Sequence, residues 1–122
     1  MDYAEKKPLV LILDDHRQVL RFIEINLKLR GFEVITTTSG EEALAIIGEK
    51  RPDILLLDII MPGIDGLEVL RRLRSFSQLP VIAFSASIIN YNEAMKLGAN
   101  AFMSKPFNVN DLVDKIKSIL TG

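Results

Sequence analysis

The chain contains no cysteine, which removes disulfides, thiolate metal sites and thiol catalysis together. It also has no uninterrupted apolar stretch approaching the length of a membrane span, and the segment Met1 to Lys7 is mostly polar. Neither a spanning helix nor a signal-peptide core is legible. An excess of either charge is lacking too: the formal net charge is -1 and the sequence pI about 5.8. No general electrostatic attraction to nucleic acid or anionic membrane is therefore available to explain the function. Low-complexity segments and internal repeats are absent. The expectation is a soluble, cytoplasmic protein without a direct nucleic-acid or membrane partner.

What is present suffices for a single core. The 122 residues are 48% hydrophobic, with a mean hydropathy of +0.23, enough for one domain. We place an N-terminal tail at residues 1–8 and the domain at 9–120. Its centre is Ile54-Leu55-Leu56-Leu57-Asp58, an apolar run without alternation, as in a strand buried on both faces. Pro62, Gly63, Asp65 and Gly66 then end the strand and form a loop, with Asp65 as the N-cap of the next helix. Asp58 should thus stand at the carboxyl end of a central strand, where ligands bind in open α/β sheets.

The same pattern recurs along the chain. Leu9 to Leu13 is a second buried run, ending in Asp14-Asp15. Leu20, Ile23 and Leu27 mark an amphipathic helix over Arg17 to Arg30, with Gly31 as its C-cap. Phe32 to Thr37 reads as a strand. Ser39 and Glu42 have capping-box spacing and open a helix closed by Gly48 and Pro52. Leu67 to Arg74 is a helix with Leu67, Leu70 and Leu73 toward the sheet, and Arg71, Arg72 and Arg74 form a solvated face. Val81 to Phe84 is a strand ending at Ser85, Asn90 to Leu97 a helix ending at Gly98, and Ala101 to Ser104 a strand leading to Lys105-Pro106. A last helix runs from Val109 to Leu120 behind Asn108.

Five strands alternating with five helices predict a doubly wound α/β fold with a parallel sheet. All strand ends then point one way, so Asp14, Asp15, Asp58, Ser85 and Lys105 should converge. Carboxylates this close repel, by about 4 kcal/mol for a pair about 4 Å apart at an effective dielectric of about 20. A cation must relieve the repulsion, and an oxygen-only donor set favours Mg²⁺, with Mn²⁺ as the alternative. His16 reads as the exposed start of the first helix rather than a ligand. Lys105 would add a point charge and Ser85 a hydroxyl donor, giving what phosphoryl transfer requires.

Asp14-Asp15, Asp58-x-x-Met61-Pro62-x-x-Asp65-Gly66, Ser85-Ala86, Gly98-Ala99 and Lys105-Pro106-Phe107 together resemble the receiver domain of bacterial two-component response regulators, from about Leu9 to Leu120. The resemblance implies a flavodoxin-like strand order 2-1-3-4-5 and phosphotransfer to Asp58 from a histidine kinase or phosphotransfer protein. It implies that Asp15, Asp58 and the backbone carbonyl of Ile60 hold Mg²⁺, with Asp14 acting through water. Ser85 and Phe102 would form a switch that alters the surface of the fourth helix, fifth strand and fifth helix. Ile60 and Ser87 would tune the lifetime of the acyl phosphate, and the Lys105-Pro106 bond would be cis. No output domain is read in this chain, so the effect would pass to a downstream protein target or a separate output domain. A phosphorylation-dependent homodimer is a further expectation. The chain would promote its own phosphorylation and dephosphorylation without being a turnover enzyme.

Rival readings fit less well. A haloacid dehalogenase-type phosphatase wants a second acid two residues after its nucleophile, where Ile60 stands. A flavin-binding relative of the same fold wants a Ser-, Thr- and Gly-rich loop in place of Asp14-Asp15. A receiver-like interaction module that is never phosphorylated has no need of the acid cluster with Ser85 and Lys105.

Overall fold

In the computed structural model, which describes residues 6–122, apolar runs and amphipathic stretches alternate as the pattern predicts. The strands are β1 (Leu9–Leu13), β2 (Glu33–Thr37), β3 (Ile54–Asp58), β4 (Val81–Ser85) and β5 (Ala101–Ser104). Between and after them come α1 (Arg17–Leu29), α2 (Gly40–Lys50), α3 (Gly66–Arg74), α4 (Tyr91–Lys96) and α5 (Val109–Thr121). All pairings are parallel, in the order β2-β1-β3-β4-β5. The flavodoxin-like α/β fold is thereby established. Residues 1–5 of the expected tail lie outside the described residues.

The strand period of two divides the core between two faces. Val10, Ile12, Ile54, Leu56, Ile82 and Phe84 meet α1 and α5 through Leu20, Ile23, Leu27, Leu112 and Ile116. Leu11, Leu13, Leu55, Leu57, Val81 and Ala83 meet α2, α3 and α4 through Ala43, Ile47, Val69, Leu70, Leu73 and Ala94. Burial on both sides leaves β3 and β4 almost inaccessible, and each enclosed Leu contributes about 2 kcal/mol. No helix among the described residues is long and apolar enough to cross a membrane.

Local chemistry departs from the sequence expectation at three places. The helix α2 passes through Gly48 and stops at Arg51, which takes the left-handed conformation at φ 49°. Its cap is half a capping box: Ser39 accepts from the Glu42 N–H at 3.1 Å, but the Glu42 carboxylate turns to the Thr37 hydroxyl instead of the Ser39 N–H. Thr37 Oγ1 accepts from that N–H, so a neighbouring hydroxyl replaces the reciprocal bond. On α3, Val69 is fully buried and Leu67 only partly, because the helix faces the sheet a fraction of a turn away from the simple Leu spacing. Finally, α4 is short, its first turn being a 3₁₀ segment at Ile88–Asn90.

Candidate functional site

The polar residues at the strand ends meet in one place. Asp58 closes β3, Ser85 closes β4, Asp14 and Asp15 follow β1, and Lys105 follows β5. Asp14, Asp58 and Ser85 are almost completely buried, at 0%, 2% and 1% exposure. Lys105 reaches inward past the Phe84 ring, its Nζ 5.2 Å from the ring centroid. There it donates to Asp14 Oδ2 at 3.1 Å and stands 3.4 Å from Asp58 Oδ2. The Lys105-Pro106 bond is cis, as expected.

One lysine does not satisfy three carboxylates. Asp58 Oδ2 and Asp15 Oδ1 are buried without a hydrogen-bond partner, a rare state for polar atoms in a folded protein. Burial, and secondarily the Asp14 charge, push the Asp58 carboxyl up to about 6, against the opposing pull of Lys105. Ligand atoms from Asp14, Asp15, His16 and Asp58 all lie within 4.8 Å of one another. Orphaned oxygens converging on one point fit a hard divalent cation such as Mg²⁺.

The loop after β3 packs tightly against the strand end beside Asp58. Gly66 N–H donates to the Ile59 carbonyl at 2.8 Å, folding the start of α3 back onto the strand end. A Cβ on Gly66 would collide with the Asp58 carbonyl oxygen and with Ile59 Cα, so only glycine permits the approach. Asp65 caps α3 by accepting from the Glu68 N–H at 2.9 Å, as expected. The Ile60 side chain is exposed at the rim.

Ser85 Oγ accepts from the Ser87 N–H at 3.1 Å and from Asn90 Nδ2 at 3.4 Å. With both contacts directed at the oxygen, the hydroxyl proton remains free to be donated. Ser87 Oγ in turn accepts from the Ile89 N–H at 3.3 Å, which ties the residue into the 3₁₀ segment. Phe102 is half-buried against the α3 and α4 side of the core and meets the Tyr91 ring edge-to-face, 5.5 Å between centroids.

Sequence reasoning misses three of these participants. Periodicity marks Asn90 and Tyr91 only as the start of a helix; the polar Asn five residues after Ser85 is the available signal. Arg74, expected on a solvated face, is instead half-buried: it donates to the Gly98 carbonyl at 2.9 Å and 3.3 Å, the Ser77 carbonyl at 3.1 Å and Asn100 Oδ1 at 3.3 Å. Burial draws its pKa down. Arg71 and Arg72 do lie outside, paired with Glu68. No sequence signal separates Arg74 from them, because its partners Gly98 and Asn100 are more than twenty residues away.

The response regulator receiver domain matches residues 10–117 of the chain. Among solved structures, a proposed response regulator from Chloroflexus aurantiacus J-10-fl is similar at 35% identity, covering 96% of this chain and 100% of its own, with a TM-score of 0.91. The receiver domain of the Francisella response regulator 1452 is 30% identical over 94% of this chain and 98% of its own, with a TM-score of 0.88. The BeF3-activated N-terminal receiver domain of Klebsiella pneumoniae RstA is 26% identical over 93% of this chain and 99% of its own, with a TM-score of 0.88.

Proposed function

The chain belongs to the response regulator receiver domain family, and on that premise we propose that Asp58 accepts a phosphoryl group from a histidine kinase or phosphotransfer protein. Receiver domains are signalling modules rather than enzymes in the usual sense, and phosphorylation-based signalling is their general role. The observation that carries the reading is the buried Asp58 Oδ2, which has no hydrogen-bond partner and only the Lys105 ammonium at 3.4 Å, beside an acid pair. That oxygen would attack the phosphorus of a phosphohistidine; the new P–O bond forms as the P–N bond breaks, and the imidazole leaves with its electron pair. With its carboxyl raised only to about 6, Asp58 is still mostly ionised at neutral pH.

Asp15, Asp58 and the Ile60 carbonyl would hold Mg²⁺, with Asp14 acting through water. The cation, when bound, supplies charge neutralisation for the transferring phosphoryl oxygens. Lys105 adds a point charge on the side toward β5. Ser85, its oxygen already held by Ser87 and Asn90, donates its proton to the phosphoryl group. The hydroxyl shift makes room for Phe102, which leaves Tyr91 and alters the face of α4, β5 and α5. Ile60 cannot orient a water for hydrolysis, so the acyl phosphate is not unusually short-lived. The signal passes in the cytoplasm to a protein target or an output domain. Residues 9–120 constitute the phosphoacceptor unit.

Intact-mass spectrometry after incubation with Mg²⁺ and acetyl phosphate tests the proposal. The expected result is one alkali-labile phosphoryl group that is absent without metal and absent in Asp58→Asn. If no donor, including a phosphorylated histidine kinase, labels the chain, the domain is an interaction module that works without phosphorylation.

A further inference from the structure

His16 is the single histidine of the chain; its side chain is largely exposed, as expected at the start of α1, yet its ring nitrogen Nδ1 lies against the acid cluster. Its Nδ1 lies 3.1 Å from Asp15 Oδ1 and 3.1 Å from Asp14 Oδ1. The backbone N–H of the same residue donates to Asp14 Oδ1 at 2.8 Å, so a fully buried carboxylate anchors the residue that carries the ring. Neighbouring ligands on an octahedral cation, each about 2.1 Å from the metal, stand about 3 Å apart. Nδ1 and Asp15 Oδ1 have that separation. Independently, Asp58 is 2% exposed and holds in the same cluster an Oδ2 that has no hydrogen-bond partner.

The oxygens of Asp14 already have partners, Oδ2 in Lys105 and Oδ1 in His16 N–H. Asp15 Oδ1 and Asp58 Oδ2 have no hydrogen-bond partner, only the ion-pair contacts with His16 and Lys105. His16 Nδ1, 3.1 Å from Asp14 Oδ1, is a nitrogen that can give up its hydrogen-bonding role. Two hard oxygens and one borderline nitrogen make a different donor set from oxygens alone. Mg²⁺ sheds water reluctantly and would leave the imidazole aside, whereas Zn²⁺ and Co²⁺ take imidazole readily.

We infer that His16 Nδ1 is a protein ligand for borderline divalent cations of the Zn²⁺ and Co²⁺ class, beside Asp15 and Asp58. The inference rests on reading the acid cluster as a cation site. On ligation, Nδ1 presents its lone pair and the ring proton resides on Nε2. The site then discriminates between cations: His16 strengthens Zn²⁺ binding and does little for Mg²⁺, so Zn²⁺ displaces Mg²⁺ from the phosphoacceptor corner.

Because His16 is the single histidine, tag-free ¹⁵N-labelled protein gives one imidazole in a long-range ¹H–¹⁵N spectrum. Zn²⁺ is expected to move the Nδ1 resonance, and excess Mg²⁺ to leave it in place. In calorimetry, His16→Ala should weaken Zn²⁺ binding about tenfold and Mg²⁺ binding less than about twofold. The side chain makes no cap hydrogen bond to α1, so this variant keeps the helix start. Zn²⁺ binding with an unmoved Nδ1, or equal losses for the two cations in His16→Ala, overturns the inference while leaving the Mg²⁺ site standing. Failure of both cations to bind wild-type protein overturns the cation site itself, and this inference with it.

Discussion

The two ends of the sheet handle polar groups in opposite ways. At the amino end, Asp53 accepts from the Leu9 N–H at 2.7 Å while its own N–H donates to the Leu9 carbonyl at 2.8 Å. Asn100 does the same for Val81, accepting at 2.9 Å and donating at 2.8 Å. Each Asx residue there closes a strand start with a reciprocal pair. At the carboxyl end, Asp14, Asp15 and Asp58 crowd together and two oxygens find no partner. One end is closed by its own side chains, and the other keeps carboxylate oxygens without hydrogen-bond partners. An acid at the first end holds the chain together, whereas an acid at the second strains it.

Three substitutions sharpen this contrast. The largest effect should come from Lys105→Met, which strips the fully buried Asp14 of its ammonium partner. We expect a loss of about 3 kcal/mol at pH 7 with divalent cations removed, measured by urea unfolding. Adding Mg²⁺ should return part of it, because the cation takes over the neutralising role. Next comes Asn100→Ala at the closed end, which leaves the Val81 N–H without its acceptor and removes one contact of Arg74. The expected loss is about 2 kcal/mol, unaffected by Mg²⁺. Recovery with Mg²⁺ here would erase the distinction between the ends.

The smallest effect has the opposite sign. The Asp58 carboxyl is raised from 3.8 to about 6 by burial and by Asp14. Between these values the folded chain holds more protons than the unfolded one, so stability falls as pH rises through that window. Asp58→Asn should therefore be more stable than wild type at pH 7 by about 1 kcal/mol, allowing for solvent screening at the cluster. At pH 3.5 or below the difference should vanish. Thermal unfolding of both proteins across this range in EDTA is the measurement. A variant less stable than wild type at pH 7 would place Asp58 with the structural acids of the other end.

Much of the open end was legible in the sequence. An apolar run buried on both faces must end where polar residues begin, so Asp14, Asp58, Ser85 and Lys105 announce themselves by position. Parallel pairing then brings them together with no knowledge of side-chain conformation. The helix caps at Ser39, Asp65 and Asn108 were also readable, since a cap and the N–H it accepts from are two or three residues apart. Boundaries were less so: Gly48 continues α2 because packing of Ala43 and Ile47 on the sheet outweighs the cost of one helical glycine, about 1 kcal/mol.

Periodicity and chain direction are enough to give the order of elements, the division of the core between two faces, and the set of strand-end residues that meet. Both are local properties of the sequence. Packing between elements, by contrast, sets that Arg74 turns inward to the Gly98 carbonyl, that Asn90 reaches back to Ser85, and that His16 Nδ1 lies beside the acid pair. Each of those choices sets the desolvation of a polar side chain against a hydrogen bond or ion pair of a particular geometry. That balance depends on distances between separately packed elements, and it exists only once the sheet and its helices have closed around them.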